Sequence, residues 1–184
     1  MYQVIAVSGM SKHGKDTFSD YIVKKHGFKK FSIADPLKEV CKIIFDFDDD
    51  QLYGDKKDFI DYRWKCTPRK CFQYIGTDLF RENLHKIIPD IEKNIWIKSL
   101  QVKIDKHFKE NPYIPVVISD VRFENEIEYL RKSNLTVYSI RITNPRIKYS
   151  DNHESEEIKF NTNFTIINDS SLDMFYEKID ILFS

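Results

Sequence analysis

The sequence is short of the features that would place it in several large classes. It has no excess of either charge: 29 Lys and Arg balance 29 Asp and Glu over 184 residues. That balance argues against a broad basic surface for a nucleic acid polymer, although it leaves room for local groups of Arg and Lys on loops. Cysteine is scarce. Cys41, Cys66 and Cys71 form an odd set with no C-x-x-C pair. They read as reduced thiols used in packing, in a cytosolic setting, rather than as a disulfide framework or a zinc site. No apolar run approaches the length needed to cross a bilayer. No signal peptide opens the chain, and Met1-Tyr2-Gln3 leads straight into an apolar run, so a cytoplasmic protein without a membrane partner is expected. Internal repeats and low-complexity linkers are also missing. What remains, 41% hydrophobic and 32% charged residues, suits one compact domain spanning 1–184.

The stretch Val4-Ile5-Ala6-Val7-Ser8-Gly9-Met10-Ser11-Lys12-His13-Gly14-Lys15-Asp16-Thr17 organises the chain. A short apolar run predicts a buried strand. A loop bounded by Gly9 and Gly14 follows, and then an amphipathic run, Phe18 to Lys25, predicts a helix. Strand, G-x-x-x-x-G-K loop and helix form a phosphate-binding loop in its required context. Glycines let backbone N–H groups turn inward on an anion. The helix N-terminus adds its positive dipole end, and Lys15 adds a point charge for the terminal phosphates. Gly9, Ser11, Lys12, His13, Gly14, Lys15, Asp16 and Thr17 are therefore the expected donor-phosphate residues. Asp16 stands where a Ser or Thr usually touches magnesium, and the hydroxyl comes one place later at Thr17.

Further along, Gly27 is a natural helix stop and Phe28 to Ala34 predicts a second strand. Asp35-Pro36 predicts a helix start, with the Asp35 carboxylate as cap. Leu37, Val40, Cys41, Ile44 and Phe45 give that helix one buried face, and Lys38 falls toward its polar side. The cluster Asp46 to Asp50 resembles a calcium loop in its alternating carboxylates. Gln51 and Lys57 occupy the places that need Gly and Glu, so a solvated turn is expected. Residues 52–58 read as a polar loop. Thr67-Pro68 starts another helix carrying Arg69, Gln73 and Tyr74 and ending near Gly76. Thr77 or Asp78 then caps a further helix that holds Arg81. Ile97, Leu100, Ile104 and Phe108 keep helical spacing, with Trp96 beside them. Pro112 and Pro115 mark a break before Val116-Val117-Ile118-Ser119-Asp120, the pattern of a central parallel strand ending in a carboxylate. Ligands of α/β sheets bind at the carboxyl ends of strands, so Asp120 falls where a magnesium-associated acid is needed, unless it caps the helix from Glu124 to Lys132. Thr136 to Ile142 and Phe164 to Ile167 are further strands, and Ser170 or Ser171 caps a closing helix. The total predicts an α/β fold of the P-loop NTPase type, with about five parallel strands and helices on both faces.

The absent motifs narrow the reaction. None of the five glycines has an Asp three places before it, N-K-x-D does not occur, and G-x-G-x-x-G does not occur. GTPase switches and dinucleotide folds fall away, and a motor or packaging ATPase would usually need more chain. A small kinase remains. Such an enzyme holds two anionic substrates end to end and needs separate Arg or Lys residues for the acceptor. Lys38, Arg69, Arg81, Arg122, Arg141 and Arg146 are the candidates, with bidentate Arg best suited to phosphate.

Here the chain resembles the phage and viral deoxynucleoside monophosphate kinases. The blocks that carry the likeness are Gly9-x4-Gly14-Lys15-Asp16-Thr17, Ala34-Asp35-Pro36-Leu37-Lys38, Leu52-Tyr53-Gly54, Gln73-x2-Gly76-Thr77-Asp78-x2-Arg81, Trp96, and Ile118-Ser119-Asp120-Val121-Arg122-Phe123-x-Asn125-Glu126. His153-Glu154-Ser155-Glu156 and Ile167-Asn168-Asp169 are also similar. The resemblance implies transfer of the γ-phosphate of ATP to a deoxynucleoside 5′-monophosphate, with Mg²⁺ organised by Asp16, Thr17 and Asp120, partly through water. It implies Lys15, Asp120 and Arg122 as the catalytic set. Asp35, Lys38, Arg69, Gln73, Thr77, Asp78, Arg81 and Trp96 would serve the acceptor, within a helical region of about residues 35–110. Arg141 and Arg146 would serve a short lid at about residues 143–157. Two other readings stand beside this one. Animal-type phosphomevalonate kinase shares the G-K-D loop, and a catalytically idle P-loop protein could bind nucleotide as a switch. Apolar helix faces can pack within the chain or across a homodimer, and the sequence leaves both open.

Overall fold

The structure is a computed structural model that describes residues 3–147 and 160–183. Its strands are β1 (Gln3–Ser8), β2 (Lys29–Phe31), β3 (Val116–Ile118), β4 (Thr136–Thr143) and β5 (Phe164–Ile167). Its helices are α1 (Lys15–His26), α2 (Asp35–Phe45), α3 (Asp49–Leu52), α4 (Pro68–Gln73), α5 (Ile95–Glu110), α6 (Glu124–Arg131) and α7 (Leu172–Asp180). The strands form one sheet in the order β2-β3-β1-β4-β5, every pair parallel. This is the expected α/β sheet of the P-loop class. The chain divides into two compact units: residues up to Ile33 and from Gln101 onward make one, and Ala34–Leu100 make the other.

The sheet lies in the first unit. Side chains alternate along a strand, and the burial follows that alternation. Ile5 and Val7, Val117, Ile140 and Ile142, and Ile166 join Phe18 and Ile22 of α1 and Phe175 and Ile179 of α7 in one apolar cluster. Val4, Ala6, Val116 and Ile118, of opposite parity, are equally buried. Both faces of the sheet are therefore covered, which is why these strands read as unbroken apolar runs. Each such Ile or Phe contributes about 1.5–3 kcal/mol relative to exposure. Gly27 ends α1 in the left-handed region at φ 71°, as its position predicts. Ser171 caps α7 through the Met174 N–H.

β2 is shorter than the run Phe28 to Ala34 suggests. The Ile33 N–H is bonded to Asp120 Oδ1 at 2.7 Å, so it cannot extend the ladder.

The second unit is helical and irregular, with one isolated antiparallel bridge between Asp61 and Cys66. Asp48 and Gln51 form a reciprocal capping box on α3, and the stretch 52–58, expected as loop, contains a 3₁₀ turn at Asp55–Asp58. At α2 the cap position is held by Ala34, with Asp35 inside the first turn, where its charge still suits the helix dipole. Ile44, expected on the buried face, is 56% exposed. Burial passes instead to Phe47, beyond the helix end, whose ring stacks on Phe45 at 5.1 Å. Thr67 caps α4 through the Lys70 N–H at 3.2 Å, with Pro68 in the first turn.

The helix does not stop near Gly76, and neither Thr77 nor Asp78 starts a new one. The chain stays helical and widens into a π-helix over Tyr74–Arg81. Gly76 is there for space rather than for a turn: a Cβ at this position would lie 2.6 Å from Leu37 Cδ2 of α2.

Candidate active site

The phosphate loop leaves β1 at the centre of the sheet and enters α1. At Gly9 the backbone has φ +144°, and an added Cβ would lie 2.3 Å from the Ile142 carbonyl oxygen of β4. Only glycine allows the loop to turn this close to a neighbouring strand. Lys12 is exposed and takes a left-handed φ of 63°. Gly14 stands at the N-cap with φ 106°, and no side chain caps the helix. With no side chain on it, the N-terminus of α1 suits an anion, and the dipole also favours negative charge there. Lys15 Nζ donates to the Met10 carbonyl at 2.8 Å, so the ammonium lies over its own loop.

β3 runs beside β1, with Ala6 paired to Ile118, and the Val121 N–H donates to the Val7 carbonyl at 3.0 Å. Asp120 consequently emerges next to the phosphate loop at the carboxyl edge of the sheet. Asp120 does not cap α6. Its carboxylate accepts from Ser32 Oγ at 2.6 Å and from the Ile33 N–H. The start of α6 is fixed by Glu126 instead, a 3% exposed carboxylate that accepts from the Arg122 and Phe123 N–H groups at 2.9 and 3.0 Å. This holds the backbone of Arg122 two residues beyond Asp120.

Three sets of contacts at this edge could not be read from the sequence. Lys30, in the middle of β2, bonds Asp20 at 2.9 Å and Asp16 at 3.2 Å. Burial pushes its ammonium pKa down, but the bond to Asp20 and the two carboxylate charges outweigh this and raise it. Asn168, after β5, donates from Nδ2 to the His13 carbonyl at 3.1 Å. The His13 imidazole is itself buried. Its ring faces the carbonyls of Ile142 and Ile147 without completing a hydrogen bond to either. Burial holds its pKa below the ordinary histidine value; the Lys15 charge acts in the same sense, against the pull of the two carbonyls.

The second unit holds the expected acceptor residues. Arg69, on α4, forks onto the Asp58 carboxylate, with Nη2 to Oδ2 at 3.1 Å. Lys38 Nζ lies 4.1 Å from the centre of the Tyr53 ring. Gln73 ends α4, and Thr77 and Arg81 follow at steps of four in the π-helix, close to one face. Thr77 and Arg81 are buried, and Asp78 is exposed. Arg81 Nη1 donates to the Lys93 carbonyl at 3.3 Å. Trp96 is buried, and its indole N–H donates to the Gly76 carbonyl at 2.8 Å. It holds the π-helix from its own side of the unit. π-helices are rare and frequently occur at functional sites.

Arg141 lies within β4, its guanidinium donating to the Phe160 carbonyl. Arg146 donates to the Asp169 carbonyl beyond β5. The expected lid at about residues 143–157 falls largely outside the described residues, as does His153-Glu154-Ser155-Glu156.

Among the described residues no group of three or more His, Cys, Asp or Glu side chains is placed to hold a metal ion. The donors available near the loop are the Asp16 and Asp120 carboxylates and the Thr17 hydroxyl. That set fits Mg²⁺, which keeps several waters and needs one or two carboxylates besides substrate phosphates. No helix among the described residues is long and apolar enough to cross a membrane.

Comparison with known proteins decides the family. The model of the deoxynucleotide monophosphate kinase family matches residues 3–59 and 56–179. This chain belongs to the deoxynucleotide monophosphate kinases. A protein of Acanthamoeba polyphaga mimivirus, provisionally named as one of them, is 39% identical over 182 residues, covering 96% of this chain and 93% of its own. The deoxynucleoside-5′-monophosphate kinase of Escherichia phage T5 is 32% identical over 123 residues, 67% of this chain and 42% of its own. Among solved structures, TT1252 from Thermus thermophilus matches with a TM-score of 0.52 at 13% identity, over 99% of this chain and 96% of that one. That likeness concerns the fold alone. The family membership bears out the resemblance carried by the G-K-D-T and Q-x-x-G-T-D-x-x-R blocks, and it does not favour the phosphomevalonate alternative.

Proposed function

We propose that this kinase transfers the γ-phosphate of ATP to a deoxynucleoside 5′-monophosphate, giving ADP and the deoxynucleoside diphosphate. The observation that carries the reading is the pairing of β1 with β3, which sets the uncapped phosphate loop beside Asp120, in a chain of this family. Lys15 leaves the Met10 carbonyl for the terminal donor phosphates, and the amides at the start of α1 hold their oxygens. Asp16, Thr17 and Asp120 would hold Mg²⁺, in part through water, and the bound ion would supply charge neutralisation for the donor phosphates. Arg122, whose backbone Glu126 fixes, balances charge on the group in flight. Arg69 and Arg81 serve the acceptor phosphate, with Lys38 and Asp35 near the start of α2. Gln73, Thr77 and Asp78 contact the base or sugar, and Trp96 positions the helix that carries them. Arg141 and Arg146 belong to the lid side of the donor site, where closure excludes water. No covalent enzyme intermediate is needed, because positioning and electrostatics suffice for this chemistry. Small-molecule substrates and a cytoplasmic setting follow.

The test is a coupled ADP-release assay with Mg-ATP and dTMP, dGMP, dCMP, dAMP, their ribo forms, phosphomevalonate and a blank. ADP release that depends on a deoxynucleotide and falls at least about 10²-fold in Lys15→Ala supports the reading. ATP binding with no acceptor above the blank would overturn it.

A further inference from the structure

Cys66 and Cys71 take no part in this chemistry, yet their sulfurs lie 3.3 Å apart. Two independent pieces of local structure bring them together. Cys66 closes a tight turn: its carbonyl accepts from the Asp61 N–H at 2.9 Å, and the Asp61 carbonyl accepts from the Lys65 N–H at 2.8 Å. Asp61 is fixed in turn by Arg63 at 2.9 Å and Gln51 at 2.7 Å. Cys71 sits one turn into α4, behind the Thr67 cap and Pro68, with its N–H on the Thr67 carbonyl at 3.2 Å. Both sulfurs are thus presented from held backbone. A disulfide bond of about 2.05 Å lies within about 1.3 Å of the present separation, a distance that side-chain torsion can cover.

We propose that Cys66 and Cys71 are a reversible dithiol–disulfide site, closed by low-molecular-weight disulfides of the glutathione type and reopened by thiols, that governs the acceptor helix. The ring so formed contains Arg69 and the first turn of α4, which runs without a break into the π-helix bearing Thr77 and Arg81. The effect on catalysis rests on the acceptor role given to those residues above. The covalent step does not.

The order of events follows from the environments. Burial first, and the neighbouring Cys66 second, push the Cys71 thiol up to about 12. Cys71 is therefore a poor first attacker. Both sulfurs are partly buried; Cys66 attacks the small disulfide as thiolate and expels one small thiolate, leaving a mixed disulfide. Cys71 then loses its proton to solvent and attacks the Cys66 sulfur. The mixed bond breaks and the second small thiolate leaves. Two protein thiols become one disulfide, the small disulfide is reduced to two thiols, and the protons end on those thiols. The second step quickens as pH rises, because the Cys71 thiolate is scarce near neutrality. Cys41 is fully buried and pushed up to about 11 by that burial, so it stays outside the exchange.

The experiment uses the reduced full-length protein, treated with oxidised glutathione, alkylated and digested with trypsin. Cleavage at Arg69 and Lys70 places the two cysteines on separate peptides. The expected result is one alkyl label where the reduced chain takes three under denaturing conditions, and a linked peptide pair that dithiothreitol separates. The oxidised enzyme should show a KM for the deoxynucleotide raised at least about fivefold, with the KM for ATP within twofold. Cys71→Ser, treated identically, should show neither the link nor the change. Three labels after oxidation, a persistent glutathione adduct, or a bond that includes Cys41 would overturn the site. A linked enzyme with an unchanged acceptor KM would overturn the control. A reduced enzyme inactive on every deoxynucleotide would count against the proposed reaction instead, and the label count would still decide the site.

Discussion

Substituting Gly9 and Gly27 separately, each by alanine, distinguishes two costs that a positive φ usually confounds. Both glycines have backbone angles unsuited to an L side chain, at φ +144° and +71°. An added Cβ at Gly27 meets nothing within 4 Å, whereas at Gly9 it meets the Ile142 carbonyl oxygen at 2.3 Å. That oxygen belongs to a central strand and cannot retreat without disturbing the ladder between β1 and β4. Gly27→Ala should therefore cost only conformational strain, about 1 kcal/mol. Gly9→Ala should add overpacking of about 1–3 kcal/mol to a strain of about 1–2 kcal/mol. For a chain of this size each kcal/mol moves Tm by about 2–4 °C. The expected drops are thus roughly 3 °C for Gly27→Ala and at least about 5 °C for Gly9→Ala, read by thermal unfolding. The same melts with saturating Mg-ATP add a second test, since ligand at about 100 times Kd stabilises by about 2.7 kcal/mol. Wild type and Gly27→Ala should gain that increment, and Gly9→Ala should lose most of it because its loop is displaced. If Gly9→Ala melts no lower than Gly27→Ala, the loop is not pressed against β4 as described.

Trp96→Phe keeps the ring but leaves the Gly76 carbonyl without its donor, at a cost of about 1–3 kcal/mol in unfolding free energy; its acceptor KM should rise while ATP binding holds, and unchanged stability would refute the role. His13 has a folded pKa below its unfolded value of about 6.5. The unfolded chain therefore takes up more protons between the two, so the stability His13 contributes is present above about pH 6.5 and is lost as pH falls through the folded pKa. Denaturant midpoints from pH 7 to 5 should fall less steeply in His13→Gln than in wild type, and parallel profiles would sink the assignment. Arg69→Ala should raise the acceptor KM and lower Tm less than Arg81→Ala, because its Asp58 partner is exposed. Arg81→Ala, 4% exposed, should lower Tm as well. Equal stability of the two variants would refute the distinction.

The parts of this fold that depend on neighbours in sequence were legible in it. The β1-loop-α1 unit, the Thr67-Pro68 start and the Ser171 cap each rest on a few adjacent residues with one physical meaning. The π-helix was not legible, because Gly76 has two physical meanings. A glycine after a helical run is commonly a C-cap, and here it makes room for Leu37, which lies far away in sequence. The partners of Asp120 were hidden for the same reason. The residue type and the strand end were visible, but Ser32 and Ile33 come from the segment that follows β2, far away in sequence. Ile44 shows the limit of periodicity: the spacing marked one face, and Phe47 beyond the helix took the burial instead.

The side-chain contacts also separate charges held loosely at the surface from those held firmly. Asp16 pairs with Lys30 and Arg69 with Asp58, each with an exposed carboxylate, and Lys15 rests on a loop carbonyl. Surface pairs of this kind are worth about 0–1 kcal/mol, so exchanging them for phosphate oxygens or a hydrated cation costs little. Glu126, which fixes the start of α6, is in the opposite position. It is buried and accepts from two backbone N–H groups, so losing those contacts would cost more than breaking a surface pair. The exchangeable charges therefore sit on the residues proposed to meet substrate, and a fixed one holds backbone. Glu126 acts on this edge through the backbone it holds, at Arg122 and Phe123.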